Sequence, residues 1–178
     1  MLVAPESGLK IQRLKMREEL ERACRYALRL LDYRERSKQE IRDRMKKKGY
    51  GDDLIEEVLR YLEAHNFVNE RRFAQIWGEH CIRKGYGRRR TYIELREKGL
   101  ETDLIDEVLN ELYSEVDETG MALSLIKRRR FLLRGSRESR IRRTYEFLRR
   151  RGFSPEVIHE VMREIESVEG LTDSGNML

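Results

Sequence analysis

The apolar positions of this chain follow a helical spacing over most of its length. In the first third, Ala23, Ala27, Leu30 and Leu31 recur at intervals of three and four residues, which places them on one face of a helix. Residues with high helix propensity, such as Glu, Leu, Arg and Lys, outnumber β-branched residues, and the chain contains two prolines. The pattern therefore predicts an all-α fold with essentially no sheet.

An internal repeat divides this pattern into three. The hexapeptide LIEEVL at residues 54–59 returns fifty positions later as LIDEVL at 104–109, and more weakly as VIHEVM at 157–162. Each copy follows a glycine that ends a basic helical run and precedes an apolar residue, which is typical of a left-handed C-terminal cap. These glycine pairs are Gly49-Tyr50, Gly99-Leu100 and Gly152-Phe153.

Each repeat is predicted to form three short helices, with capping residues at their N-termini. The predicted caps are a capping box at Ser37–Glu40, Asp52 or Asp53, Asn69, Thr102 or Asp103, and Ser154 followed by Pro155. In the second repeat, Phe73, Ile76 and Trp77 form the predicted apolar stripe, and we expect Trp77 in the core. Residues 131–139, which include Gly135, predict a flexible basic loop.

These signals divide the chain into five segments. The predicted limits are an N-terminal extension at 1–19, three-helix repeats at 20–66, 67–116 and 117–168, and a disordered tail at 169–178. A repeat of this length buries only a small core, so neighbouring repeats should stabilise one another. We expect an elongated tandem array of small, homeodomain-like bundles, about 75 Å long if the repeats lie end to end.

Charge is sorted by helix. The chain is 40% charged, with a formal net charge of +5. Residues 82–98 are mainly basic, residues 101–118 hold eight acidic side chains and no Lys or Arg, and residues 127–151 carry twelve basic side chains against two acidic ones. Such charges are often solvated faces with ion pairs between helices. The repeated basic-then-acidic order favours a polarised surface that contacts anions.

Several kinds of chemistry are not supported by the sequence. The three histidines lack metal-ligand spacing, and Gly85-Tyr86-Gly87 is followed by three arginines rather than by the residues of a phosphate-binding loop. Cys24 and Cys81 fit small core positions. No apolar run approaches the ~18 residues of a membrane span, and the N-terminus lacks a signal-peptide pattern. We expect no catalytic residues, metal, cofactor or membrane, and a cytoplasmic location.

A three-helix unit could imitate a helix-turn-helix reader of DNA bases. Its recognition helix would be the third one, which is acidic here and would be repelled by phosphates. Contact with DNA should therefore involve the second helices and the 131–139 loop, mainly through phosphates. Tyr86, beside Lys84 and Arg88, is a candidate for stacking on a base.

Five segments together resemble the RecX family, over about residues 20–165. They are ALRLL at 27–31, YRERS at 33–37, LIEEVL at 54–59, NFVNERRFA at 66–74 and GYGRR at 85–89. The resemblance implies a non-enzymatic regulator that binds in the groove of the RecA filament on single-stranded DNA, and we expect the chain to be a monomer. It also implies inhibition of filament extension, ATP hydrolysis, strand exchange and co-protease activity, with no small-molecule substrate.

The charge pattern supplies candidate contacts for such a partner. We expect a basic surface that binds RecA or the phosphates of single-stranded DNA, with duplex DNA as a further candidate partner; it is formed by Lys84, Arg88, Arg89, Arg90, Arg128, Arg129 and Arg130. Two alternatives stay open on the same residues. One is a nucleic-acid-binding protein without sequence preference, and the other is a helical adaptor for a different acidic protein.

Overall fold

The computed structural model describes the backbone of residues 6–129 and 135–174, and the side chains of residues 14–129 and 135–167. The described residues form helices and no strand, so the predicted all-α fold of three consecutive three-helix units is confirmed. The helices are α1 Glu6–Tyr33, α2 Lys38–Lys48, α3 Asp52–Ala64, α4 Glu70–Arg83, α5 Arg88–Glu97, α6 Thr102–Tyr113, α7 Glu118–Lys127, α8 Arg137–Arg151 and α9 Pro155–Ser174.

The contacts group the chain into two compact units. Unit 1 contains the chain through Phe73 together with Lys98–Leu100, and unit 2 contains Ala74–Glu97 and the chain from Glu101 onward. Unit 2 therefore contains most of the second repeat together with the third. The repeat boundaries that the sequence predicts at residues 66 and 116 stay predictions. Among the helices described, none is long and apolar enough to cross a bilayer.

Most predicted helix ends are confirmed. Ser37, Asn69 and Ser154 each accept a hydrogen bond from the backbone N–H three residues later. Asp117, near which the third repeat is predicted to begin, caps α7 in the same way. After α2 and α8, the predicted glycines have φ values of 94° and 84°. The following N–H groups, of Tyr50 and Phe153, bond back to the carbonyls five residues earlier, which is the Schellman arrangement.

Two predicted caps are wrong. The residue before α3 is Gly51, whose extended backbone opens the helix without a side-chain bond, so Asp52 and Asp53 lie in the first turn, where the helix dipole favours acidic groups. The residue before α6 is Glu101, again without a side-chain bond. The capping box is half formed, because the Glu40 carboxylate bonds to Arg34 and Lys98 instead of its own helix N-terminus.

Three predicted segments differ from the structure. The 1–19 extension is not separate, since α1 runs from Glu6 to Tyr33 without a break. The 131–139 loop is shorter than expected, because Ser136 caps α8 at Arg137; residues 130–134 lie outside the described residues. The 169–178 tail is helical through Ser174, since no proline interrupts α9 and each further residue adds a backbone bond. Residues 175–178 lie outside the described range.

Each unit has its own apolar core. In unit 1, α1, α2 and α3 meet around buried Ala27, Met45, Ile55 and Leu62, with half-buried Cys24 packed against them. In unit 2, a cluster on α7, α8 and α9 is buried, and α5 and α6 bury further residues. The unit 2 core includes Leu95, Ile105, Val108, Leu109, Ala122, Ile126, Phe147, Leu148, Phe153, Ile158 and Val161.

The apolar stripe predicted on α4 is displaced. Phe73 is buried as predicted, but Ile76 is 44% exposed and Trp77 is half-buried, whereas Ala74, Gly78 and Cys81 are buried. Gly78 has no side chain, and Leu112 of α6 occupies the space that a Cβ would need. Because Leu112 packs directly against Gly78, the buried face of α4 is centred on Ala74, Gly78 and Cys81 rather than on Ile76 and Trp77.

Candidate anionic contact surface

The surface begins where the N-terminus of α5 meets the glycine turn after α8. We call this contact the α5 junction: Gly87, Arg89 and Arg90 against Arg151 and Gly152. The Gly87 N–H donates to the Arg151 carbonyl at 2.9 Å, and the Arg89 N–H donates to the Gly152 carbonyl at 3.1 Å. The first N–H groups of a helix have no partner within it. The glycine turn satisfies two of them and brings the basic end of α8 to α5.

Unit 1 contains a similar contact fifty positions earlier. We call it the α2 junction: Ser37, Gln39 and Glu40 against Lys98 and Gly99. The Ser37 hydroxyl donates to the Lys98 carbonyl at 2.7 Å, and the Lys98 ammonium bonds Glu40 Oε1 at 2.7 Å. A Cβ on Gly99 would lie 2.6 Å from the Gln39 Cβ. Both junctions thus seat a left-handed glycine turn against the start of a helix.

Arg151 lies at the centre of the α5 junction. Its Nη1 donates to the Lys84 carbonyl at 2.7 Å. Its guanidinium carbon is 5.3 Å from the centre of the Tyr86 ring and 5.5 Å from that of Phe147. Cations at this distance are attracted to aromatic faces. Arg151 therefore ties the loop after α4 to α8.

Two further arginines contact the same rings. Arg90 lies 5.9 Å from the Tyr86 ring, and Arg129, just after α7, lies 5.0 Å from the Phe147 ring. The result is an alternating series of side chains, which we call the Arg–aromatic row: Arg90, Tyr86, Arg151, Phe147 and Arg129. It connects the two basic clusters identified in the sequence.

The sequence-predicted residues differ in how far neighbouring acids neutralise them. Arg88 pairs with Asp106 of α6 at 3.5 Å, and Arg90 pairs with Glu94 at 2.5 Å. The bond to Glu94 raises the pKa of Arg90, so its guanidinium stays charged. Acidic neighbours thus offset part of the charge of both arginines.

The other candidate residues are more accessible to an anionic ligand. Lys84, Arg89, Arg128 and Arg129 have exposed side chains and no ion pair within the described part of the chain. Arg89 is near Glu156, whose pKa is lowered mainly by hydrogen bonds from Ser154 and the backbone and least by Arg89. Arg130 lies outside the described residues.

Tyr86 is half-buried, and its phenol ring already contacts two guanidinium groups. Its carbonyl accepts a hydrogen bond from the Tyr113 hydroxyl at 2.8 Å, which holds the loop in place. A stacking role for Tyr86 stays a prediction. The charge pattern alone does not single out Arg151. The repeat does provide a signal, because Arg151 immediately precedes the repeated glycine, as Lys48 and Lys98 do.

Beside the row, a shallow depression opens on α5 between Arg88, Arg89, Tyr92 and Ile93. Ile93 is 45% exposed there. The depression combines two cations with apolar surface, a composition suited to a protein partner.

Elsewhere, the described residues show no group of three or more His, Cys, Asp or Glu side chains placed to hold a metal ion. Burial raises the pKa of the Cys81 thiol to about 11, so it is protonated near neutral pH and a poor nucleophile.

Comparisons with known proteins agree with the three-helix units. Family models for the first, second and third three-helix domains of RecX match residues 23–62, 69–109 and 117–162. The regulatory protein RecX of Streptomyces lividans is 34% identical over 156 residues, covering 86% of this chain and 82% of its own. That of Chlorobium limicola is 34% identical over 145 residues, covering 80% and 89%.

Solved structures show the same fold. A crystal structure of regulatory protein RecX matches with a TM-score of 0.79 at 21% identity, over 92% of this chain and 81% of the other. The RecX structure from Lactobacillus salivarius matches with a TM-score of 0.73 at 18% identity, over 84% and 97%. At these identities, the likeness establishes the arrangement of helices and leaves the surface chemistry to the residues themselves.

Proposed function

This chain belongs to the RecX family, and from that membership we propose that it is a negative regulator of the RecA recombinase. It binds in the groove of the RecA filament on single-stranded DNA. There it inhibits filament extension, ATP hydrolysis, strand exchange and co-protease activity. It acts in the cytoplasm as a monomer, without a cofactor or catalysis of its own.

The observation that carries this proposal is the set of exposed cations in unit 2. Four cations face solvent without an ion pair in the described residues: Lys84 in the loop after α4, Arg89 in the first turn of α5, and Arg128 and Arg129 after α7. A filament that offers DNA phosphates and acidic protein surface complements such cations. Binding would then block sites that RecA uses to grow and to exchange strands.

The test is RecA ATP hydrolysis on single-stranded DNA, titrated with the wild-type chain and with the double variant Lys84→Glu/Arg89→Glu. We expect the wild type to inhibit below one molecule per RecA, and the double variant to require at least about tenfold more protein, because two attractive contacts become repulsive.

A matched control carries the same charge change on another surface. Lys47→Glu/Lys48→Glu alters two exposed lysines at the end of α2 and should inhibit like the wild type. Equal loss in both double variants would show that only net charge matters. No inhibition by the wild type, with DNA in excess, would refute RecA regulation.

A second candidate function, binding nucleic acid without RecA, is favoured by the same exposed cations. It predicts sequence-tolerant affinity for single strands, with a salt slope of about −0.7 for each phosphate neutralised. RecA would then leave the affinity unchanged.

A further inference from the structure

The Arg–aromatic row places three guanidinium groups on two shared rings. Arg90 and Arg151 both contact Tyr86, and Arg151 and Arg129 both contact Phe147. Each guanidinium carries five N–H donors, of which Arg151 uses Nη1 for the Lys84 carbonyl and Arg90 uses Nη2 for Glu94. The row therefore holds cationic donors in a fixed order across α5, α8 and the end of α7.

The charge around the row is unbalanced. Glu94 pairs with Arg90, and no ion pair is present for Arg129 or Arg151 in the described part of unit 2. Like charges at such spacing repel one another, and burial of their stems against aromatic rings offsets that cost. Two such cations are best stabilised by a ligand with regularly spaced negative charges.

We propose that the Arg–aromatic row is a single binding site for the phosphodiester backbone of one nucleic-acid strand, with Arg151 joining its two ends. The inference rests on the proposed function, because it identifies which part of the basic surface contacts the DNA of the filament. Lys84 and Arg89 extend the site at the α5 end, and Arg128 extends it beyond Arg129.

The environment of the two aromatic rings determines whether bases or phosphates of the strand are contacted. Phe147 is 8% exposed, and the Tyr86 ring is already shared by two arginines. Because Phe147 is buried and Tyr86 already contacts two guanidinium groups, we expect phosphates rather than bases to be the main contacts of the row. Binding is therefore tolerant of sequence and strongly dependent on salt.

An acidic protein surface is the other anionic partner to consider. Carboxylates on a folded protein are irregular in position, whereas phosphates follow one another along a strand. An ordered row of cations matches the second pattern, and the depression on α5 with exposed Ile93 is the better fit for protein.

The first test compares two adjacent arginines of α8. Arg151→Gln and Arg150→Gln remove the same charge, but Arg150 is exposed and lies outside the row. Binding of a fluorescent oligodeoxythymidylate of about 12 nucleotides is followed by anisotropy as salt is raised. The slope of the logarithm of affinity against the logarithm of salt concentration is negative. We expect its magnitude to decrease by about 1.4 or more for Arg151→Gln, and by at most about 0.7 for Arg150→Gln.

The second test changes no charge. Phe147→Leu removes the ring that Arg151 and Arg129 share, and Phe153→Leu removes a ring from the same core where no arginine contact is present among the described residues. Both variants lose similar core packing, and thermal unfolding checks that both are folded. We expect Phe147→Leu to lower the salt slope by about 0.7 and Phe153→Leu to leave it unchanged.

Three outcomes would overturn the site. The first is equal slopes for the two arginine variants, and the second is equal slopes for the two phenylalanine variants. The third is displacement of the oligonucleotide by polyglutamate at equal charge concentration, which would assign the row to an acidic protein. Inhibition of RecA by the wild-type chain is measured separately. The proposed RecA regulation and the proposed nucleic-acid site can therefore be refuted independently of each other.

Discussion

The α2 and α5 junctions both place a glycine turn against the start of a helix, but they differ in bonding and in charge. The α5 junction is held by two backbone hydrogen bonds, whereas the Ser37 hydroxyl makes the contact in the α2 junction. In the α2 junction, the Glu40 carboxylate bonds Arg34 in a bidentate pair at 2.9 and 3.0 Å, and Lys98 at 2.7 Å. In the α5 junction, Arg90 occupies the position equivalent to Glu40, fifty residues later. Arg151 is equivalent to Lys98, because each immediately precedes the glycine of its turn. Aromatic rings then separate two cations that no longer share an acid.

This difference separates the structural part of a repeat from its binding part. The glycine turn packs closely against the helix start in both junctions, since an added Cβ would lie 2.6 Å from Gln39 at Gly99 and would overlap Arg90 at Gly152. The residues around them are free to vary in charge. In the α2 junction, Glu40 offsets part of the charge of Arg34 and Lys98 and contributes stability, whereas in the α5 junction Arg151 has no ion pair among the described residues.

The largest expected effect comes from the glycine turns themselves. A Cβ at Gly152 would overlap the backbone of Arg90, and its φ of 84° disfavours any other residue. We expect Gly152→Ala to lower the free energy of unfolding by about 3 kcal/mol or more, measured by urea denaturation. A backbone clash cannot be relieved by rotating a side chain.

Gly49→Ala is the matched control for that substitution. Gly49 has a φ of 94°, but nothing lies within 4 Å of an added Cβ. The cost should therefore be that of the backbone conformation alone, about 1 kcal/mol. Similar losses at both positions would mean that the α5 junction contributes no stability of its own.

A smaller effect is expected from the α2 ion pairs. Burial alone would raise the pKa of Glu40, but its hydrogen bonds to Arg34 and Lys98 outweigh burial and lower it from 4.5 to about 2. A lowered pKa contributes stability that is complete above about pH 4.5 and is lost as the pH falls towards 2. We expect Glu40→Gln to cost about 2 kcal/mol at pH 7, with the difference from wild type shrinking below pH 4.5.

Glu56→Gln provides the comparison for Glu40. Glu56 also pairs with an arginine, Arg42, at 2.8 Å, but its side chain is 53% exposed. Exposed pairs contribute little, so the loss should stay below about 1 kcal/mol. Urea denaturation between pH 3 and 7 measures both variants, and a pH-independent loss for Glu40→Gln would contradict the role of its charge.

The smallest effect separates two neighbouring arginines of the α5 junction. Arg88 pairs with Asp106, whereas Arg89 is exposed and has no ion pair in the described chain. We expect Arg89→Gln to lower the salt slope of oligonucleotide binding by about 0.7 and Arg88→Gln to lower it by less. A larger change for Arg88→Gln would show that the Asp106 pair opens when the ligand binds.

Local sequence signals determined most of the helical architecture. Caps such as Ser37, Asn69 and Ser154, and the glycines at 49 and 152, act on backbone groups within a few residues, so their effect can be read from the chain. The predictions failed where two elements approach closely, as at Gly78, because the partner helix then decides which face of α4 is buried.

The charge of the candidate surface was determined partly by sequence and partly by tertiary structure. The sequence alone showed that arginines are concentrated at 82–98 and 127–151. Only the fold showed that Asp106 neutralises part of Arg88, and that Arg151 reaches Tyr86, sixty-five positions earlier in the chain. Electrostatic attraction and aromatic contact depend on distances of a few ångströms between side chains, and packing between helices sets those distances.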